Sequence, residues 1–175
     1  MTESAPQRVL VVGAGRRVQN NFLPVLRALH DRFTVLGVHA RTAARLQPVA
    51  DRWGVPAVAS LDGPELQAAD TVALSVPTPQ NAVVLRALLP HAARLSVVID
   101  TPIAWTLQEL AAAAPLLARF RRVMVTEDYM NFPAFALLRQ AVTQGLIGQP
   151  TALTRSAPSS GSNQRRGRGG ARSAR

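Results

Sequence analysis

Apolar residues fall in short blocks along this chain, and amphipathic stretches separate them. The first block, Val9-Leu10-Val11-Val12, reads as a strand buried on both faces. It stops at Gly13, and from Val18 a helical pattern places Val18, Phe22, Val25, Leu26 and Leu29 on one face. Residues 33–38 repeat the strand pattern. Thr42 stands as N-cap of a helix over 43–53 that Gly54 ends and in which Pro48 places a bend or an early break. Residues 57–59 suggest a short edge strand and 65–69 a short helix. Residues 71–76 form the next buried strand, followed by a helix over 80–93 with Val83, Val84, Ala87 and Leu88 inward. A strand over 96–100 precedes a helix capped by Thr106 and running through Leu107, Leu110, Ala114 and Leu117. A sixth strand covers 122–126, and a last helix over 132–144 ends at Gly145.

Strand and helix alternate through six cycles, which implies a parallel sheet with helices on both faces. The right-handed crossover rule then selects an α/β doubly wound parallel sheet, the three-layer αβα Rossmann fold. Residues 1–153 make one such domain. Beyond it, 157–175 has no large apolar side chain, so 154–175 is expected to be a disordered tail rich in Arg, Gly and Ser.

Composition removes several classes of function. The absence of cysteine excludes disulfides and thiolate chemistry, and His30, His39 and His91 lie too far apart in sequence for a metal motif. No apolar run is long enough for a membrane helix and no leader is evident, so the expectation is a cytoplasmic protein with no metal and no membrane partner. All 20 basic residues are arginine, and six of them follow Leu153. The remainder carries 14 basic against 10 acidic residues, so the formal charge of +10 belongs mostly to the tail. Arg165-Arg166-Gly167-Arg168-Gly169-Gly170 resembles an arginine–glycine segment but lacks interleaved aromatics, so nucleic acid is not the expected partner.

In the expected fold, ligands sit at the carboxyl ends of the strands. Those positions are Gly13–Val18, His39–Thr42, Val76–Asn81 and Asp100–Pro102. Gly13-Ala14-Gly15-Arg16-Arg17-Val18 is a G-x-G-x-x-V turn between strand and helix, one glycine short of the dinucleotide fingerprint. Gly13 permits the turn, Gly15 clears space for a pyrophosphate, and the helix N-terminus offers its amides. At the end of the second strand an acid normally holds the ribose hydroxyls. Gly37-Val38-His39-Ala40-Arg41-Thr42 has none, and an arginine there suits a 2′-phosphate. The expected cofactor is therefore NADP, with NAD second. The alternative at Arg41 is a solvated helix-start residue. His39 is either a stacking partner for an adenine or a satisfied structural residue. Arg16 and Arg17 are candidates to pair with the phosphates.

These motifs, in order, resemble the N-terminal half of the glucose–fructose oxidoreductase, inositol dehydrogenase and rhizopine-catabolism (Gfo/Idh/MocA) family. The resemblance rests on Gly13-Ala14-Gly15, Leu23-Pro24, Val76-Pro77-Thr78-Pro79, Val98-Ile99-Asp100-Thr101-Pro102 and Gly145-Leu146-Ile147-Gly148, over about residues 8–153. It implies a nicotinamide cofactor and hydride exchange at a hydroxyl-bearing carbon. The implied cofactor-binding set is Gly13, Ala14, Gly15, Arg16, Arg17, Val18, Arg41, Thr42, Val76, Pro77, Thr78, Asn81, Asp100, Thr101 and Pro102, with no catalytic residue assigned. The family usually has Glu-Lys-Pro after the fifth strand, with the lysine near the reacting hydroxyl; here Asp100-Thr101-Pro102 stands instead. Tyr129-Met130-Asn131-Phe132-Pro133 lacks the arginine common before the last helix. The second, substrate-bearing domain and its subunit interface are expected to be missing, with only what looks like its first strand at 150–153. Asp100 on chemistry alone is either a ribose ligand or a cap of the adjacent turn. Glu127 and Asp128, adjacent on a strand, point to opposite faces and make no acid–base pair. The expected function is an NAD(P)-binding oxidoreductase domain not competent for turnover alone. The alternative is a non-catalytic dinucleotide-binding or partner-docking module.

Overall fold

The first strand, β1 (Gln7–Val12), divides its apolar side chains by strict alternation. Val9 and Val11 enter one buried cluster, Leu10 and Val12 the other, and all four are almost fully buried. The structure, a computed structural model, describes residues 5–127 and 132–152. A π-helical turn (Val18–Phe22) runs into α1 (Leu23–Ala28), then β2 (Phe33–His39), α2 (Ala43–Trp53), β3 (Ala57–Val58) and α3 (Pro64–Ala68). Next come β4 (Thr71–Leu74), α4 (Asn81–Leu88), β5 (Ser96–Asp100), α5 (Leu107–Leu117), β6 (Arg122–Thr126) and α6 (Pro133–Thr143). The strands form one parallel sheet in the order β3-β2-β1-β4-β5-β6. Residues of α1 and α2 pack with Val9, Val11 and Val38 on one face; residues of α3, α4 and α5 pack with Leu10, Val12 and Leu74 on the other. This is the three-layer doubly wound fold. Each fully buried Leu or Ile contributes roughly 2 kcal/mol by leaving water. Leu10, Leu74, Leu85, Leu88 and Ile99 therefore clamp the centre of the sheet.

The sheet lies within the unit Met1–Asp128, and α6 belongs to a second unit, Tyr129–Arg175. In that second unit, residues 148–152 carry no regular structure, so 150–152 are not in a strand. A strand needs a ladder partner for its backbone groups, and none is present there among the described residues. Leu153, the expected tail at 154–175, and Asp128 with the Tyr129–Asn131 stretch lie outside the described residues. No helix among the described residues is long and apolar enough to cross a membrane.

Several helices differ in phase or capping from their sequence pattern. After Val18 the π turn inserts an extra residue per turn, so Leu23, five positions on, is buried, while Val25 is 54% exposed. In α4 the buried positions are Asn81, Leu85 and Leu88 rather than Val83 and Ala87. A 3₁₀ turn at Thr78–Gln80 rotates that helix, and the buried Asn81 amide donates to the Ile103 carbonyl at 2.9 Å. β4 stops at Leu74, not at 76, because its partner β1 ends at Val12. Pro48 lies inside α2 without ending it. Thr42 precedes α2, but its hydroxyl makes no capping bond; its carbonyl accepts from the amides of Arg45 and Leu46. Thr106 does cap α5, in a reciprocal box with Glu109.

At the amino ends of the central strands, Arg8 and Asp70 pair in two parallel bonds. Nε donates to Oδ2 at 3.0 Å and a terminal nitrogen to Oδ1 at 2.9 Å. These bonds and the Arg8 amide lower the Asp70 carboxyl to about 2 from its ordinary 3.8, partial burial opposing. A depressed folded-state value means stability present above about pH 4 and lost as pH falls towards 2. Asp70→Asn is therefore expected to lower the melting temperature at pH 7, with the difference from the parent shrinking to nothing between pH 4 and pH 2. Melting curves across that range check it.

Candidate functional site

β1 and β4 are adjacent although not consecutive, and strand order reverses between them. In such sheets the crevice at that switch point is where ligands bind. The turn leaving β1 is set there by backbone geometry. Gly13 has φ +127°, and a Cβ on it would meet the Ser75 carbonyl oxygen at 2.0 Å. Its amide donates to the His39 carbonyl at 2.8 Å, and the Ser75 amide donates to the Val12 carbonyl at 2.8 Å. Three strand ends are thus laced together by main-chain bonds. Gly15 differs: a Cβ there would have nothing within 4 Å. No internal packing requires a glycine at this position, and the space it leaves is open. The Gly15 carbonyl accepts from the Gln19 amide at 3.2 Å. The amides of Arg16, Arg17 and Val18 therefore precede the first helical bond and point out of the helix start.

A cleft of about 560 Å³ opens at these strand ends. Among the residues expected to bind a cofactor, Gly13, Ala14, Gly15, Arg16, Arg17, Arg41, Thr42, Val76, Pro77 and Asp100 line it. Val18 lies beneath, fully buried, and its Cγ2 would touch a Cβ on Gly13 at 3.3 Å. Thr78, Asn81, Thr101 and Pro102 are not among the lining residues. The Thr78 hydroxyl donates to the Pro102 carbonyl at 3.4 Å, Asn81 is committed to Ile103, and the Thr101–Pro102 peptide is cis. Arg45, Ser75 and Val84 line the cleft although the motifs did not single them out, and so does Gln80, from the Val76–Asn81 stretch. Two signals stood in the sequence: Ser75 directly follows the buried run of β4, and Arg45 comes one helical turn after Arg41.

His39 also borders the cleft, and its Nδ1 lies 2.8 Å from the Val58 carbonyl. A carbonyl only accepts, so Nδ1 carries the proton and the ring is held by β3. That bond fits the structural role of His39. A second hollow, in the unit carrying α6, is lined by Phe135, Leu138, Val142 and Ile147 with Arg139 as its one charged side chain. Thr143, Gln149 and Thr151 are its other polar side chains, and none of them is a general acid or base.

Charge in the cleft is lopsided. Arg16, Arg17, Arg41 and Arg45 face one carboxylate, Asp100. Arg17 Nε donates to Asp100 Oδ1 at 3.1 Å, so the Arg17 guanidinium, a candidate phosphate partner, already shares one of its nitrogens with a carboxylate. The Thr126 hydroxyl also donates to Oδ1 at 3.1 Å, and the Ser75 hydroxyl to Oδ2 at 2.9 Å. Asp100 thereby joins the ends of β4, β5 and β6 to the glycine turn. Arg16, Arg41 and Arg45 have no ion-pair partner among the described residues.

The sequence over residues 7–129 matches an oxidoreductase family with an NAD-binding Rossmann fold. Compared with the curated proteins, the chain matches none. Among solved structures, an oxidoreductase from Thermotoga maritima superposes with a TM-score of 0.72 at 25% identity, covering 83% of this chain and 45% of that one. The WlbA dehydrogenase from Bordetella pertussis, solved with NADH and UDP-GlcNAcA, gives 0.64 at 21% identity, covering 80% and 42%. KijD10, a 3-ketoreductase from Actinomadura kijaniata solved with NADP and TDP-benzene, gives 0.66 at 20% identity, covering 82% and 44%. The chain thus spans less than half the length of each.

The two glycines separate fold from binding. Gly13→Ala is expected to lose at least about 2 kcal/mol, because the left-handed backbone and the Ser75 carbonyl both oppose a side chain. Gly15→Ala is expected to leave stability within about 0.5 kcal/mol of the parent. Urea unfolding of both variants checks the contrast.

Proposed function

The chain belongs to the oxidoreductase family with an NAD-binding Rossmann fold, and from that premise we propose that it binds NADP(H) in preference to NAD(H) and, by itself, holds the cofactor without turnover. The observation that carries the preference is the group of arginines, Arg16, Arg41 and Arg45, without acidic partners among the described residues, at a cleft whose β2 end has no carboxylate. A ribose hydroxyl there finds no acceptor carboxylate, whereas a 2′-phosphate finds guanidinium groups.

The residues fit a dinucleotide. The open space beside Gly15 is where a side chain would obstruct a pyrophosphate, and the amides of Arg16, Arg17 and Val18 offer donors to it. Arg41, with Arg45 a helical turn on, holds the 2′-phosphate. Thr42, at the entry to α2, borders the same side of the cleft. Val76 and Pro77 supply an apolar wall beyond the switch point. When bound, the nicotinamide supplies a hydride donor or acceptor. The chain's own groups near the ends of β4 and β5 supply little to move a proton. Asp100 is held in its ion pair, and Thr101 stands where related proteins carry lysine, an amine this sequence contains nowhere. A threonine hydroxyl without a base to tune it is a poor general acid.

Calorimetric titration tests the preference: NADP⁺ is expected to bind roughly tenfold or more tightly than NAD⁺, the scale of a charge-assisted hydrogen bond. Arg41→Ala is expected to bring the two affinities together. Equal affinities in the parent chain would sink the reading.

Turnover is a separate question, read by NADPH oxidation or NADP⁺ reduction over a panel of polyols, sugars and keto-sugars. The expected rate is indistinguishable from the no-substrate blank, with Thr101→Lys giving no rescue because substrate positioning is still lacking. Substrate-dependent turnover that disappears in Gly15→Trp would show that these 175 residues hold a working catalytic apparatus.

A further inference from the structure

The charged groups of the cleft are distributed unevenly between its two sides. Arg16 stands in the turn after β1, Arg41 at the end of β2 and Arg45 in the first turn of α2. In a doubly wound sheet these positions serve the adenosine and pyrophosphate half of a dinucleotide, while the strand ends beyond the switch point serve the other half. On that second side the lining is Val76, Pro77, Gln80, Val84, Ser75 and Asp100. Asp100 is the one charged group among them, and it accepts from Arg17 and Thr126 at Oδ1 and from Ser75 at Oδ2.

Resting on the reading that this cleft takes a 2′-phosphorylated nucleotide, we propose that the site is blind to the redox state of its ligand. Its ligand class is the 2′-phosphorylated nicotinamide dinucleotides, with the ring oxidised or reduced. The physical reason is the Arg17–Asp100 pair. An oxidised nicotinamide carries a positive charge and a reduced one does not, so a bare carboxylate at the end of β5 favours the oxidised form. Arg17 closes that carboxylate into an ion pair at 3.1 Å, with the Asp100 side chain only 14% exposed. What a ring nearby then feels is a charge pair, whose two contributions largely cancel. Recognition is left to Arg16, Arg41 and Arg45, which meet phosphates common to both redox forms. Occupancy of such a site follows the total concentration of the 2′-phosphorylated pool and not its oxidised-to-reduced ratio. That is the behaviour of a receptor for the pool.

The test is calorimetric titration of the full chain with NADP⁺, NADPH and 2′-phospho-ADP-ribose, which lacks only the nicotinamide. The NADP⁺ and NADPH dissociation constants are expected to agree within about threefold, since the field that would separate them is cancelled, with 2′-phospho-ADP-ribose weaker by the contacts of the ring with Val76 and Pro77. Tight NADP⁺ binding with NADPH about tenfold different would overturn the inference and leave the NADP preference standing. Failure of all three to bind would overturn both. Arg17→Gln supplies the second arm: it frees the Asp100 charge, and NADP⁺ is then expected to gain about threefold over NADPH. Because the ratio compares two ligands with the same phosphates, any attraction between Arg17 and those phosphates cancels. A ratio unchanged in a variant whose melting temperature matches the parent would show that the ion pair is not what hides the redox state.

Discussion

A side chain at residue 13 would place its Cβ 2.0 Å from the Ser75 carbonyl oxygen. That close approach between the ends of β1 and β4 is the constraint from which the site follows. The two strands sit side by side at the point where the sheet order reverses, and their main chains close on each other through the Ser75 amide and the Val12 carbonyl. With no room for a side chain, the chain turns sharply at Gly13 and enters a helix at once. Val18, fully buried against the turn, seals the floor. The amides at the helix start are then presented above the strand ends instead of being used within the fold.

Arginine does two different jobs in this molecule, and pairing separates them. At the amino ends of the strands, Arg8 meets Asp70 in a two-bond pair, and nearby Arg94 donates to the carbonyls of Leu66 and Ala69 at the end of α3. Those guanidinium groups are taken up in holding elements together. At the carboxyl ends, Arg17 is likewise committed, through Asp100, to tying the glycine turn to β5. Arg16, Arg41 and Arg45 have no such partner among the described residues. Their charge is available to an anion at the cleft they border.

The order and kind of elements were readable in the sequence because each depends on a local pattern. Blocks such as Val9–Val12 and Val97–Ile99 are apolar on both faces, which only a covered parallel sheet satisfies. Thr106 followed three residues later by Glu109 announces a capped helix, and the structure forms that box. Helix phase was less readable. Val25 and Val83 look inward by simple periodicity yet stand exposed. A π turn after Val18 and a 3₁₀ turn before Asn81 rotate α1 and α4 about their axes, and neither turn has a signature in spacing.

The candidate site divides in the same way. Gly13, Gly15 and Arg41 could be named from the sequence because a turn at a strand end needs particular residue types within a few positions. Ser75 and Arg45 carry no such mark, since a serine after a strand and an arginine in a helix are ordinary until the assembled sheet brings them to one cleft. Arg17 read as a phosphate partner, and only the folded chain brings Asp100, 83 positions away, to within 3.1 Å of it. Sequence by itself determined the layers, their order and the glycine turn, because those depend on residue-by-residue preferences and short-range sterics. Which arginines are free, which carboxylate is consumed and which helix faces are covered depend on distances between elements remote in sequence, and those exist only once the sheet has assembled.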